Sequence, residues 1–232
     1  MSNSTLARAI VLALWSVFFA YLWVSEEMVR YLGPRTYWVV PFGCITLGAA
    51  ALAHFVTLRR ERKAGSSGGG MSRSDLVGIA ALLIPIIAVL AVPQAELGAL
   101  AVSRKATGTG ATSALVAPPA PEAGREPSFI DVYYANDSGE YATALGIQEG
   151  TELDLTGFVS ATDGPDEFTL TRFYVSCCAA DAIPYSVTVR GGGVYPDNTW
   201  LRVNGALESH EGQFELVAGS IEEVDTPENP YL

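Results

Sequence analysis

Long apolar runs dominate the first hundred positions of the chain. Three of them, at residues 6–24, 38–58 and 76–95, are almost free of charged side chains and predict transmembrane helices. About 20 residues are needed to cross roughly 30 Å of hydrocarbon, and the first run reaches that length because Arg8 can extend to the membrane interface. The sequence YLWVSEEM after that run has no small-x-small cleavage pattern, which favours an uncleaved anchor over a signal peptide.

Beyond residue 150 the pattern changes to the two-residue alternation of half-buried β-strands. Turns rich in Gly, Pro, Asp and Asn separate five such stretches, which cover residues 151–161, 168–176, 185–190, 199–209 and 213–224. Five short strands predict a small closed or nearly closed barrel. We expect an OB-like barrel, although the helical turn predicted at CCAADA lies after the second strand, where an OB fold usually has its helix after the third. A short helix is also predicted within 138–147.

The segment between the helical and the strand-rich regions has a different composition. Residues 96–128 consist mainly of Ala, Gly, Thr, Ser and Pro, with few large apolar side chains. Such a composition is typical of a flexible, partly extended linker. The sequence therefore predicts a transmembrane region at 1–95, a tether at 96–128 and an all-β domain at 129–232.

The distribution of charge predicts an orientation. The loop RRERKAGSSGGGMSR between the second and third runs is strongly basic, and short basic loops stay in the cytoplasm. With three spans, the N-terminus is then cytoplasmic and the C-terminal domain lies outside the cell membrane. From residue 96 onward there are 21 acidic and 6 basic residues. This negative charge disfavours binding to nucleic acid, whose phosphates it would repel.

Two adjacent cysteines, Cys177 and Cys178, carry the most conspicuous candidate chemistry. Neighbouring side chains on a strand point to opposite faces, so both thiols reach one site only where the strand ends in a turn. A helix N-terminus there would lower the thiol pKa. Four interpretations remain open: simple packing, a strained disulfide, a catalytic thiol, or a divalent metal bound by Cys177, Cys178, Asp181 and His210. The third cysteine, Cys44, lies in the second apolar run and cannot pair with them.

Other signatures of enzymes are missing from the sequence. The glycines at 191–193 lack the lysine and helix of a phosphate-binding loop, and H-E-x-x-H does not occur. We therefore expect a protein that is not an enzyme, with no catalytic or organic-cofactor-binding residues.

Several strings carry a resemblance to a known family. GFVS at 157–160, FTLTRFYVSCCAADAIPYSVTV from 168, TWLRVNGAL from 199 and the terminal PENPYL resemble the YcgQ family of bacterial membrane proteins, which are described as permease subunits. The positions that match its motif are Arg172, Cys177, Cys178, Asp181, Pro184, Trp200, Gly205, Pro230 and Tyr231. The resemblance implies an accessory protein that works beside a separate multi-span permease.

The expected function is therefore an accessory permease subunit, embedded in the lipid bilayer, whose exterior barrel binds solute or metal or contacts the permease. Two alternatives stay open. One is a membrane-anchored envelope binding module without a role in transport, and the other is an exterior thiol or metal-binding protein that uses Cys177 and Cys178.

Overall fold

A computed structural model describes residues 3–63, 72–91, 97–106, 126–162 and 164–232. These residues form two compact units, Met1–Glu96 and Leu97–Leu232. The first is helical, and the second is a closed five-stranded β-barrel with short helices. The predicted fold class, a helical apolar region followed by a small barrel, is confirmed.

The helical unit contains α1 (Asn3–Val24), α2 (Val39–Lys63) and α3 (Arg73–Ala91), with two short 3-10 helices between α1 and α2. Small residues let α1 and α2 approach closely. A Cβ on Gly43 would lie 3.3 Å from the ring of Phe19. The hydroxyl of Ser16 donates a 2.8 Å hydrogen bond to the carbonyl oxygen of Cys44.

The number of membrane-spanning helices differs from the prediction. Among the described residues, two helices are long and apolar enough to cross a membrane, Thr5–Val24 and Pro34–Arg60. The third predicted span, 76–95, forms the shorter apolar helix Leu76–Ala91, and the last four of its predicted residues lie outside the described part of the chain. At 1.5 Å per residue, 16 residues fall below the length that a hydrocarbon core requires.

The barrel consists of β1 (Glu152–Thr162), β2 (Glu167–Tyr174), β3 (Ile183–Arg190), β4 (Trp200–His210) and β5 (Gln213–Glu223). The strands close in the order β1-β2-β3-β5-β4, and β3 and β5 form the one parallel pair of the barrel. Because side chains alternate along each strand, Leu155, Leu170, Val187, Leu201 and Leu216 point inward and form a fully buried core. The five strands lie close to where the alternation predicts them.

A second apolar cluster lies on the outer face of the barrel, since its strand residues alternate with the inward ones. We call it the outer cluster; its buried members are Phe158, Phe173, Val175, Ala182, Trp200 and Tyr231. The rings of Phe158 and Phe173 stack with centroids 5.7 Å apart. This OB-like barrel thus has two apolar cores, one inside the barrel and one on its outer face.

Within the described residues, the barrel unit has three α-helices: α4 (Ala99–Ala106), α5 (Phe129–Asp137) and α6 (Gly139–Leu145). The last of these confirms the helix predicted within 138–147. Helix α5 begins with a capping box, in which Ser128 and Asp131 bond reciprocally. The buried carboxylate of Asp131 also accepts a 2.9 Å hydrogen bond from the hydroxyl of Tyr141, which joins α5 to α6.

Helix α4 lies within the segment predicted as a flexible tether. Its partly buried residues Ala101 and Val102, together with the preceding Leu97, pack against the outer cluster. The beginning of the predicted tether is therefore ordered by contact with the barrel, whereas residues 107–125 lie outside the described part.

Candidate metal centre

The two adjacent cysteines lie in the connection between β2 and β3. We call residues 175–182 the cysteine loop. It joins two strands that are still paired at Tyr174 and Ile183, so its ends are fixed close together. Val175 and Ala182, which begin and end the loop, are 2% and 3% exposed and belong to the outer cluster. The loop is therefore anchored at both ends, while the residues between them face solvent to varying degrees.

The carboxylate of Asp181 organises the middle of the loop. One of its oxygens accepts hydrogen bonds from the backbone N–H of Cys177 at 2.8 Å and of Cys178 at 3.4 Å, and the other accepts one from Ser176 N–H at 3.2 Å. Residues 179–181 form a single 3-10 turn with Cys178 at its N-cap. The extended strand thus ends in a turn at the cysteines, as the sequence predicts, and the turn brings both thiols to one side.

The ligand atoms of this loop are close enough to share a metal ion. The two Sγ atoms and a carboxylate oxygen of Asp181 all lie within 4.8 Å of one another. Ligands in a tetrahedral zinc site, with bonds of about 2.0–2.3 Å, are about 3.3–3.8 Å apart, so a shift of about 1 Å would complete the geometry. No other three Cys, His, Asp or Glu side chains satisfy this criterion within the ranges that the structure describes.

His210, the fourth predicted ligand, is not part of this group. It is the last residue of β4, paired with Gln213 across the β4–β5 hairpin, and it is exposed. The prediction included His210 because it is the one histidine in the strand-rich region, but strand pairing places it outside the cluster. The loop therefore offers three ligands, and Cys177 and Asp181 are exposed to solvent.

The electrostatics of the loop differ from the expectation of a lowered thiol pKa. Desolvation, the neighbouring Cys178 thiol and the negative charge of Asp181 raise the pKa of Cys177. A single 3-10 turn supplies too few aligned amides to offset these effects. Both cysteines are thiols in the structure, which does not contain a disulfide between them. A bound cation would reverse the effect on the pKa, because metal coordination deprotonates thiols directly.

Arg172, on β2, connects β1 with the C-terminal segment. Its guanidinium donates hydrogen bonds to the carbonyl oxygens of Thr156, at 3.2 Å, and of Asn229, at 2.7 Å. Its Cζ atom lies 5.9 Å from the centre of the Trp200 ring, a cation–π geometry. Burial lowers the pKa of Arg172. These contacts make it a structural link between two strands and the chain end.

The other positions that match the YcgQ motif also have packing roles. Tyr231 and Pro230 are buried, and Tyr231 forms a β-bridge with Phe173. Pro184 is paired with Phe173 at the start of β3. Gly205 lies at an irregularity of the β4–β5 pair, where a Cβ would overlap the carbonyl oxygen of Val217. The motif positions thus divide into three ligand candidates in the loop and a set that packs the barrel.

Sequence reasoning missed one residue that contacts the loop. Lys105, in the last turn of α4, donates hydrogen bonds from its Nζ atom to the carbonyl oxygens of Ala180, at 3.2 Å, and of Ala182, at 2.5 Å. A signal was present: basic residues are favoured in the last turn of a helix, and Arg104 and Lys105 are adjacent. The alanines and glycines around these residues led to the prediction of a flexible linker in place of a helix.

A polar cleft lies on the barrel beside α5, with a volume of about 430 Å³. It forms where the parallel pairing of β3 with β5, which is two residues long, gives way to α5. The side-chain amide of Asn136 joins α5 to β5: it accepts a hydrogen bond from Phe214 N–H at 2.6 Å and donates one to the Phe214 carbonyl oxygen at 3.3 Å. The residues that line the cleft are Tyr133, Asn136, Asp137, Ser186, Val187, Thr188, Gln213, Phe214 and Glu215.

Comparison with protein families gives two matches. Residues 7–108 match the model of the DUF1980 N-terminal domain, and residues 132–232 match that of the DUF1980 C-terminal domain. These matches do not confirm the YcgQ name or its motif, so that finer resemblance stays a prediction. A search of curated proteins found no significant match. The first match extends through α4, although α4 is part of the compact barrel unit.

Proposed function

We propose that this chain, which carries both DUF1980 domains, is a membrane-anchored accessory subunit of a permease, and that its barrel binds a thiophilic divalent metal ion such as Zn²⁺. The observation that carries the metal proposal is the convergence of Cys177, Cys178 and Asp181 within 4.8 Å. Two soft thiolates and one hard carboxylate are a ligand set suited to Zn²⁺. The barrel acts by binding, without catalysing a reaction.

Because the loop offers three ligands and is open to solvent, we expect the barrel to exchange its metal ion and not to hold it permanently. Structural zinc sites usually have four protein ligands, whereas sites that react or exchange keep a position open. Three ligands on a solvent-facing loop leave such a position for water, a small solute ligand or a group from another protein. This is the behaviour expected of a protein that passes an ion to a transporter.

The membrane part of the proposal rests on the two long apolar helices near the N-terminus. Two or three spans are too few for most transporter pores, which favours a partner that supplies the pore. The basic loop after α2 supports a cytoplasmic N-terminus. We propose that the third apolar run, 76–95, crosses the membrane as the sequence predicts, so that the barrel lies on the outer side, where the permease and the exterior ion both meet it.

The test is metal binding by the full chain in detergent. We expect one Zn²⁺ per chain by elemental analysis, and competition with a chromophoric chelator gives its affinity. Cys177→Ser with Cys178→Ser should abolish stoichiometric binding, while Cys44→Ser is the matched control because it removes a thiol from α2 and should bind normally. Substoichiometric zinc in the unaltered chain, or equal binding by the double variant, would contradict the proposal.

The permease partner needs a separate experiment. Cross-linking in membranes followed by purification should recover a multi-span transport protein, and deletion of that protein should reproduce the phenotype of deleting this one under metal stress. Recovery of envelope proteins without a permease would contradict the transport role.

The polar cleft beside α5 favours a second candidate, an envelope binding module. Its volume is within the range of small-molecule sites, about 300–1,000 Å³. Hydroxyl, amide and carboxylate groups suit a polar solute or a segment of an envelope component. Under this alternative, Ser186→Val should abolish recovery of envelope proteins in the cross-linking experiment and leave zinc binding unchanged.

A further inference from the structure

Helix α4 is fixed to the barrel at its first residue. The backbone N–H of Ala99 donates a 2.7 Å hydrogen bond to the side-chain Oδ1 atom of Asn198, in the connection between β3 and β4. This bond caps one of the N–H groups that the first turn of a helix leaves without a partner. The preceding Gly98 lies so close that a Cβ there would overlap Asn198 Oδ1. A larger side chain at position 98 would therefore displace the Asn198 side chain that caps the start of α4.

The middle of α4 packs on the same apolar surface that anchors the cysteine loop. Ala101 and Val102 contact the outer cluster, whose members include Val175 and Ala182, the first and last residues of the loop. A displacement of α4 would expose apolar surface next to both ends of the loop. Packing alone thus connects the position of the helix with the position of the loop.

The end of α4 bonds directly to the loop. Lys105 Nζ donates to the carbonyl oxygens of Ala180 and Ala182, the residues on either side of Asp181. These two bonds fix the peptide groups that flank the carboxylate ligand. Asp181 also accepts hydrogen bonds from the backbone N–H groups of Cys177 and Cys178. A change at Lys105 therefore affects the position of Asp181 and, through Asp181, the positions of both cysteines.

We infer that Lys105 is a positioning residue for the metal site, and that docking of α4 and binding of the metal favour each other. The inference rests on the proposed metal binding. Coupling between two equilibria is reciprocal: if the docked helix raises the affinity for metal, then bound metal stabilises the docked helix by the same factor. Residues that hold ligands in place without touching the metal commonly change affinity by about 10–100-fold.

The coupling gives the metal ion an influence on the chain that leads to the membrane unit. Helix α4 starts eight residues after α3 ends at Ala91. The DUF1980 N-terminal match includes α4, although the helix packs on the C-terminal domain. Helix α4 is thus the described element of the barrel unit that lies nearest in sequence to the helical unit.

The test compares variants of the full chain in detergent by Zn²⁺ competition titration. Lys105→Ala should raise the Kd for Zn²⁺ by about tenfold, and Lys105→Arg, which keeps a charged donor, should restore most of the affinity. Arg104→Ala is the matched control, because it removes the same charge from the exposed neighbouring position. Gly98→Ala disturbs the opposite end of the helix, and it should also weaken Zn²⁺ binding although residue 98 lies outside the loop.

Hydrogen exchange then measures the reverse direction of the coupling. Adding Zn²⁺ should slow amide exchange across residues 99–106 in the unaltered chain, and the Cys177→Ser, Cys178→Ser double variant should lose this effect. One outcome would refute the coupling alone: the unaltered chain binds Zn²⁺, Lys105→Ala and Gly98→Ala bind it with unchanged affinity, and amide exchange in α4 is the same with and without Zn²⁺. In that case the proposed metal site is still supported. If the unaltered chain binds no Zn²⁺, both the metal site and the coupling are wrong.

A variant that fails to fold is recognised by exchange of the barrel strands. Lys105→Ala must keep the protection of amides in β2 and β3, and under that condition a lower affinity reports on ligand positioning. Rescue by Lys105→Arg distinguishes the bonds to the two carbonyl oxygens from packing of the lysine side chain. If Lys105→Arg binds Zn²⁺ as weakly as Lys105→Ala does, the assigned role of these hydrogen bonds is wrong.

Discussion

The cysteine loop and the outer cluster are neighbours on the barrel, and they share Val175 and Ala182, yet they differ in almost every physical property. The loop exposes Cys177 and Asp181 to solvent, and its order comes from hydrogen bonds to one carboxylate. The outer cluster buries aromatic rings from several strands and from the C-terminal segment. The comparison teaches that exposed chemistry needs a buried support, because three hydrogen bonds in water would not hold two thiols together.

The division also separates stability from binding. Aromatic burial contributes most to the free energy of unfolding, whereas exposed loop residues contribute little and are free to serve a ligand. Changes in the outer cluster should therefore lower stability first, and changes in the loop should lower metal affinity first.

Trp200→Ala should have the largest effect on the barrel. The indole is 8% exposed and contacts the Phe158 ring with centroids 5.7 Å apart, so its removal should cost about 3–5 kcal/mol of unfolding free energy. Hydrogen exchange of the slowest strand amides measures this loss. Trp200→Phe is the conservative control and should cost less. If the Cys177→Ser, Cys178→Ser double variant destabilises the barrel as much as Trp200→Ala, the separation between loop and cluster is wrong.

Arg172→Met should have a smaller and more local effect. The substitution keeps an apolar stem beside Trp200 but removes the donors to the carbonyl oxygens of Thr156 and Asn229. Loss of these bonds should cost about 1–3 kcal/mol. Exchange of the Leu232 amide, which bonds to Phe173 at 2.8 Å, should accelerate more than exchange in β5.

Arg172→Lys is the matched control for that experiment. It keeps the positive charge but lacks the planar fork that reaches two acceptors at once. Intermediate protection of the C-terminal segment is expected. Unchanged protection of Leu232 in Arg172→Met would show that packing of Tyr231 holds the segment without help from the guanidinium.

The smallest effect is expected at an exposed ion pair outside both regions. Arg202 donates to the Asp154 carboxylate, with Nε 2.9 Å from one oxygen, and this hydrogen bond lowers the pKa of Asp154 below its ordinary value of 3.8. A lowered folded-state pKa contributes stability that is present above the ordinary pKa and disappears as the pH falls through the folded value. Solvent screening keeps the contribution small.

The free energy of unfolding of the unaltered chain should fall between pH 5 and low pH. In Asp154→Asn this fall should be smaller. Urea unfolding across that range measures the slope for both proteins, and the other carboxylates contribute equally to the two curves. A slope that Asp154→Asn leaves unchanged would show that the pair contributes nothing to the barrel.

Much of the fold could be predicted from local patterns. The five strands lie near their predicted positions because the alternation of apolar and polar residues is a local consequence of strand geometry. Helix α5 was missed, since FIDVYYAND has apolar residues at spacings that suit neither period clearly. Its signal was the capping pair Ser128 and Asp131. For the third predicted span, 76–95, the structure describes a shorter apolar helix that ends at Ala91, and residues 92–95 lie outside the described part of the chain.

The candidate site was predictable in part. The adjacent thiols and Asp181 are close in sequence, so one turn suffices to bring their ligand atoms together. His210 does not join the group of close ligand atoms, because its position depends on the pairing of β4 with β5, which composition does not reveal. Lys105 was missed for the same reason: it lies 75 residues from the carbonyl that it contacts at Ala180.

Interactions between residues close in sequence account for the apolar helices, the alternating strands and the turn that joins two cysteines to one aspartate. The tertiary structure alone decided which distant groups meet. Closure of the barrel placed His210 away from the thiols, and it created the outer surface on which α4 folds. That helix has too few large apolar residues to be stable in isolation, so its order, and the contact of Lys105 with the cysteine loop, exist because the barrel buries one of its faces.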